Sequence, residues 1–132
     1  MQMSGKSYLL DTNIIIALFA DEASVKKQIE KAQKVFVPVI AIGELFYGAE
    51  LSGKKSENLK RVEQFSSASP LLYATMETSK VYAHIKSQLK KSGNPIPEND
   101  IWIAAIAIEN NMTLSSRDKH FSFVKGLEVV SW

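Results

Sequence analysis

The sequence predicts an α/β fold in which a parallel sheet is covered by helices on both faces. Three observations lead there. Short apolar and β-branched runs recur along the 132 residues and alternate with segments of helical periodicity. The runs carry almost no charge, which is how strands buried on both faces read, and the helices between them supply the crossovers that parallel pairing requires. Residues 101–108, Ile-Trp-Ile-Ala-Ala-Ile-Ala-Ile, are apolar all round and imply a helix buried on most sides. No repeat, linker or low-complexity segment divides the chain, so one domain spanning residues 1–132 is expected.

The elements follow in order. Residues 6–10 read as a strand ending at Asp11. Residues 12–20 read as a helix, with Thr12 or Asn13 as its expected cap. Residues 23–34 place charged and apolar positions at helical spacing, and Val35-Phe36-Val37 forms a second strand stopped by Pro38. Residues 39–51 are helical up to Ser52-Gly53, residues 54–56 a loop, and residues 57–67 a further helix. Ser66-Ser67-Ala68-Ser69-Pro70 punctuates before a third strand at residues 71–73. Residues 75–91 form a long amphipathic helix with Val81, Ile85 and Leu89 on one stripe, broken by Ser92-Gly93-Asn94-Pro95-Ile96-Pro97. The apolar helix takes residues 98–110. Residues 112–116 and 127–130 are two last strands, separated by a polar turn that holds Phe121 and Phe123.

Composition bounds the chemistry. The hydrophobic fraction of 45% supplies a real core and argues against disorder. The absence of Cys excludes disulfides, zinc–thiolate sites and thiol nucleophiles. Residues 1–7 are polar and lack the apolar core of a signal peptide, and no apolar run is long enough to span a bilayer. A cytoplasmic protein without membrane contact is therefore expected.

Asp11, Glu44, Asp100 and Asp118 stand out because each lies in or beside an apolar stretch. Tyr8-Leu9-Leu10 runs into Asp11; Glu44 is the only charge between Lys34 and Glu50; Asp100 opens the apolar helix; Asp118 follows Met112-Thr113-Leu114-Ser115-Ser116-Arg117. A buried carboxylate must be neutralised, paired or bound to a metal. Taken singly, Asp11 can cap a helix, Asp100 can serve a helix dipole, and Asp118 can be a turn residue. Glu44 resists such a reading, since no base lies near it at helical spacing.

Gathered together, the acids need cations. Two like charges ~4 Å apart repel by about 4 kcal/mol at an effective dielectric near 20. One or two divalent ions offset that repulsion, and an all-oxygen donor set favours Mg²⁺ or Mn²⁺ over Zn²⁺. Such ions polarise phosphodiesters and activate water. The net charge of +2 then changes meaning. Sixteen Lys and Arg face the ten acids that remain of fourteen, leaving +6 on the rest of the surface. Bases cluster at Lys26-Lys27, Lys54-Lys55, Lys60-Arg61, Lys90-Lys91, and Arg117 with Lys119. A basic surface around an acidic pocket suits a polyanion, although each pair alone reads as a solvated helix face.

Other candidates are weaker. His84 reads as a surface or packing residue on the long helix, His120 as a turn residue within reach of a phosphate, and Trp102 as core rather than a base-stacking platform. No glycine-rich phosphate loop, helical zinc pair or acyl-transfer triad is present.

Four segments carry a family resemblance. Leu9-Leu10-Asp11-Thr12-Asn13-Ile14-Ile15 resembles the opening strand of PIN-domain nucleases. Ile42-Gly43-Glu44-Leu45-Phe46-Tyr47-Gly48 resembles their second motif, and Asn99-Asp100-Ile101-Trp102-Ile103-Ala104-Ala105-Ile106-Ala107 their third. Leu114-Ser115-Ser116-Arg117-Asp118-Lys119-His120-Phe121, followed by Gly126-Leu127-Glu128-Val129, resembles the fourth. Each motif is weak alone; four in order across the chain are specific. Length and motif style resemble the VapC toxins of type II toxin–antitoxin systems.

The resemblance implies a three-layer α/β/α sandwich and Mg²⁺- or Mn²⁺-dependent endoribonuclease activity, with water as the nucleophile so that the RNA 2′-OH is not required. It implies Asp11 and Asp100 as direct metal ligands, Glu44 and Asp118 completing or supporting the site, and Asn13 and Ser116 as hydrogen-bonding residues behind it. Ser116 stands where relatives often carry Thr, which keeps the hydroxyl. A homodimer, a VapB-like antitoxin that inserts a peptide near the acidic pocket, and a transfer RNA or ribosomal RNA substrate are further implications. Two other classes compete. A receiver-type phosphoacceptor domain needs an adjacent acidic pair early in the chain and a lone Asp near its middle, and neither is present. A catalytically idle RNA-binding or antitoxin-docking module is favoured only by loss of an acid, and all four are present.

Overall fold

In the computed structural model, residues 6–132 are described. Most of the polar N-terminal stretch expected at residues 1–7 therefore lies outside the described residues. Five strands, β1 (Ser7–Leu10), β2 (Lys34–Pro38), β3 (Leu71–Leu72), β4 (Thr113–Ser115) and β5 (Val129–Val130), form one sheet in the order β3-β2-β1-β4-β5. Every pairing is parallel. Leu9 lies opposite Phe36 on one side and Leu114 on the other, and Leu10 opposite Ser115. The helices are α1 (Thr12–Phe19), α2 (Ala23–Lys31), α3 (Val39–Glu50), α4 (Lys55–Ser67), α5 (Met76–Ser92) and α6 (Glu98–Glu109).

The strand period of two assigns neighbouring side chains to opposite layers. Leu9, Phe36, Leu72 and Leu114 pack with Ile85 and Leu89 of α5 and the apolar face of α6. Leu10, Val35, Val37 and Leu71 pack with Ile14 and Ile15 of α1, Val25 of α2, Leu45 of α3 and Val62 of α4. The three-layer α/β/α sandwich is the result. Leu9 and Leu10 are almost wholly buried, and burial of such a side chain is worth about 1.5–3 kcal/mol. In α6, Ile101 and the run from Ile103 to Ala107 are all buried, as the uniform apolarity required.

Several boundaries differ from the sequence reading. Lys34 belongs to β2 rather than to the preceding helix, because parallel pairing with Ser7 extends the strand. The α1 cap is Asp11, whose carboxylate accepts from Thr12 N at 2.8 Å, so Thr12 is already helical. Helix α4 begins at Lys55, inside the expected loop. The strands at residues 71–73, 112–116 and 127–130 are shorter than expected, and Lys119–Phe123 of the polar turn is a 3-10 helix.

Helix α5 shows its sequence logic at both ends. Thr75 and Thr78 form a reciprocal capping box, and Thr75 Oγ1 also donates to Glu109 Oε2 at 3.0 Å, tying α5 to the end of α6. Gly93 closes the helix at φ 75°, where a side chain would be strained. Thr75→Ala is expected to lower stability by about 1 kcal/mol. A shifted urea midpoint with unchanged slope would show this, whereas an unshifted midpoint would remove the cap's role.

Candidate active site

The sheet order places the site. After β1 the chain builds outward through β2 and β3, then returns to add β4 on the other side of β1. The carboxyl ends of β1 and β4 thus flank a topological switch point, where open parallel sheets bind ligands. Asp11 follows β1 directly, while Ser116, Arg117 and Asp118 follow β4. Helix α6 brings Asp100 in its first turn, and α3 brings Glu44 from its middle.

Asp11 is buried and closely held. Its Oδ1 accepts from Thr12 N at 2.8 Å; its Oδ2 accepts from Ser116 Oγ at 2.7 Å and Asn13 Nδ2 at 3.3 Å. A carboxylate offers about four acceptor positions, so these donors leave room for one more partner. Ser116 also accepts from Asp118 N at 3.0 Å, and Asn13 Oδ1 accepts from Arg117 N at 3.2 Å. Asn13 and Ser116 therefore fasten the loop after β4 to the end of β1.

The electrostatics show that the acids converge. Burial raises Asp11 above the ordinary carboxylate range against the opposing hydrogen bonds of Ser116 and Thr12, and the charges of Glu44 and Asp118 raise it further. Asp100 is pushed up to about 7, first by burial and then by Asp11, Asp118 and Glu44, with His120 opposing. Among the described residues, the carboxyls of Asp100 and Asp118 and the ring of His120 each offer a donor atom within 4.8 Å of the others. Oxygen-rich donors whose mutual repulsion a cation would relieve fit a divalent ion.

Some sequence readings change. Glu44 is half-buried, not enclosed, and accepts from Thr12 Oγ1 at 2.6 Å. Its apolar neighbours misled because α3 leaves some of them in solvent: Tyr47 is 67% exposed. Those neighbours help line a cleft of about 740 Å³ that takes in Thr12, Ile40, Glu44, Tyr47 and Asn99. His120 is no bystander, since its Nδ1 lies 3.0 Å from Asp118 Oδ1. The Asp-x-His spacing was its only signal, and in a 3-10 turn that spacing lets Asp118 cap the turn beneath His120. Thr12, the partner of Glu44, had no signal beyond its place after Asp11.

The bases are more committed than the charge count implied. Arg117 forms a forked pair with Glu22 and donates from Nε to the Trp132 carbonyl at 2.9 Å. Arg61 lies over the Phe19 ring and donates to the Phe19 carbonyl. Trp102 is half-buried and stacked on Tyr82 with ring centroids 4.0 Å apart, and His84 is exposed on α5.

A sequence profile of the PIN domain matches residues 8–127. The chain belongs to the PIN-domain family. It is 34% identical over 128 residues to a protein named Ribonuclease VapC2 from Haemophilus influenzae, covering 95% of this chain and 97% of that one. It is 29% identical over 128 residues to the tRNA(fMet)-specific endonuclease VapC of Shigella flexneri, with the same coverage. The crystal structure of VapBC2 from Rickettsia felis bound to a DNA fragment from its promoter contains a chain that superposes with a TM-score of 0.87 at 28% identity, covering 95% of this chain and 98% of that one. The PIN fold therefore extends over nearly all of the described chain.

Proposed function

We propose that this PIN-domain protein is a Mg²⁺- or Mn²⁺-dependent endoribonuclease and the toxin of a VapBC-type pair. One observation carries the reading: Asp11, Glu44, Asp100 and Asp118 act on one another at the carboxyl ends of β1 and β4, with Asp100 held at about 7. A pocket in which burial and neighbouring acids hold Asp11 and Asp100 above the ordinary carboxylate range is arranged for a cation. Asp11 and Asp100 are the ligands assigned first, with Glu44 and Asp118 completing the set. When bound, a divalent ion supplies charge neutralisation at the scissile phosphate and activation of water.

The chain's own residues do the rest. Ser116 and Asn13 fix the orientation of Asp11, so its remaining acceptor position faces a constant direction. Thr12 fixes Glu44 in the same way. The cleft beside Glu44 is bordered by Asn99, the residue before Asp100 in the first turn of α6, and is where an RNA strand would lie. The tRNA-specific relative makes transfer RNA the first substrate to try, with ribosomal RNA second. A second groove of about 270 Å³, between α1, α3 and α4, opens onto Glu44 beside the exposed Ile16. It suits a peptide of a VapB-like antitoxin. The protein is read as a homodimer working in the cytoplasm; among the described residues no helix is long and apolar enough to cross a membrane.

The test is cleavage of defined RNAs by purified protein. Cleavage with Mn²⁺ or Mg²⁺ is expected to stop in excess EDTA and return when the ion is restored. Unchanged cleavage in EDTA would refute the cation requirement. Absence of cleavage with every RNA and ion, from folded protein free of antitoxin, would favour the idle binding module.

A further inference from the structure

We propose that His120 belongs to the cation site, placing an imidazole nitrogen beside the carboxylates of Asp100 and Asp118, and that this mixed donor set favours Mn²⁺ over Mg²⁺. The assignment rests on the reading of this pocket as a divalent-cation site. Its basis is geometric. His120 Nδ1 lies 3.0 Å from Asp118 Oδ1 and 3.9 Å from Asp100 Oδ2, so the ring turns its inner nitrogen toward the pair of acids. To bind an ion there the imidazole must present Nδ1 unprotonated, so cation binding displaces any proton shared with Asp118.

The backbone holds the ring there. Asp118 caps the 3-10 turn by accepting from His120 N at 2.9 Å, and the next side chain, Phe121, is buried at 1% exposure in the core against α5 and α6. The turn is therefore pinned on both sides of His120, while the ring itself remains half-exposed and free of the core. An ion taken by Asp100 and Asp118 would have this nitrogen within reach, since one donor atom from each of the three residues lies within 4.8 Å of the others. Mn²⁺ is larger and softer than Mg²⁺ and accepts a nitrogen donor among oxygens, whereas Mg²⁺ dehydrates reluctantly and keeps oxygen donors. The nitrogen thus adds to Mn²⁺ binding and contributes little to Mg²⁺.

The experiment uses the full chain stripped of cations and titrated with Mn²⁺ alone, followed by electron paramagnetic resonance. Pulsed spectra of the bound ion are expected to show ¹⁴N modulation from an imidazole. His120→Gln should lose that modulation, and His84→Gln, on the exposed face of α5, should keep it. His120→Gln should also weaken Mn²⁺ binding by about tenfold or more, since even outer-shell partners are worth that much. Mg²⁺ affinity should change by clearly less than Mn²⁺ affinity does. Bound Mn²⁺ without nitrogen modulation, or unchanged Mn²⁺ affinity in His120→Gln, overturns the assignment and leaves the nuclease reading standing. Failure of the wild type to bind Mn²⁺, or binding indifferent to Asp100→Asn, overturns the cation site itself.

Discussion

Asp100→Asn is expected to abolish cation-dependent RNA cleavage, by at least about a hundredfold, the scale for losing one group that stabilises transition-state charge. The same result is expected for Asp11→Asn. In both variants the fold should survive for stated reasons. Asn is as good a helix cap as Asp, so α1 keeps its start at Thr12. Asp100 is a buried carboxyl pushed up to about 7, and replacing it with a neutral amide removes a repulsion rather than a bond. Circular dichroism should therefore stay native in both while cleavage disappears; thermal melting should match or exceed the wild type for Asp100→Asn, and fall for Asp11→Asn, whose amide cannot accept on both sides. A folded, purified variant with full activity would sink the metal-nuclease assignment of these residues.

The second expected result is a pH dependence of stability in protein kept free of cations. In the unfolded chain Asp100 ionises near its ordinary value of 3.8, whereas in the fold it stays protonated up to about 7. Between these values the folded state binds the extra proton, so stability falls as pH rises from about 4 to about 7 and then levels. Asp11, also raised, acts in the same direction. The loss traceable to Asp100 reaches at most about 4 kcal/mol, the cost of ionising a carboxyl held at about 7 rather than at its ordinary value. Asp21, Glu22 and Glu98 are lowered by their partners and act oppositely, losing their contribution as pH falls. The difference between wild type and Asp100→Asn isolates the acid. Urea midpoints from pH 5 to 8 should converge at the acid end and separate toward pH 8, with the variant more stable. Adding Mn²⁺ at pH 8 should stabilise the wild type and leave the variant nearly unmoved. Parallel profiles across that range would show that Asp100 ionises normally in the fold.

Both predictions concern groups visible early, but unevenly so. Asp11, Asp100 and Asp118 each had an ordinary structural role available, and the structure shows two of those roles in use. Asp11 caps α1 and Asp118 caps the 3-10 turn. A capping role and a place in a cation pocket are compatible, because a cap uses only part of a carboxylate's acceptor capacity. Glu44 was singled out for the wrong reason. Its apolar neighbours implied enclosure, yet Tyr47 and Leu51 face solvent, so the surrounding hydrophobicity marks an open cleft and groove.

What the sequence by itself determined is the kind and order of the elements and the isolation of four acids, three at or near element ends and Glu44 within a helix. These are local properties: side-chain periodicity distinguishes strand from helix within a few residues, and a lone charge in an apolar run is visible without knowing its neighbours in space. What only the tertiary structure decided is which groups meet. The placement of β4 beside β1, rather than beyond β3, brings Ser116 against Asp11 across 105 residues of chain. The approach of α6 to the 3-10 turn sets His120 beside Asp100. Those meetings depend on strand order and on packing between layers, which arise from the burial of whole faces and leave no trace in the spacing of any one motif.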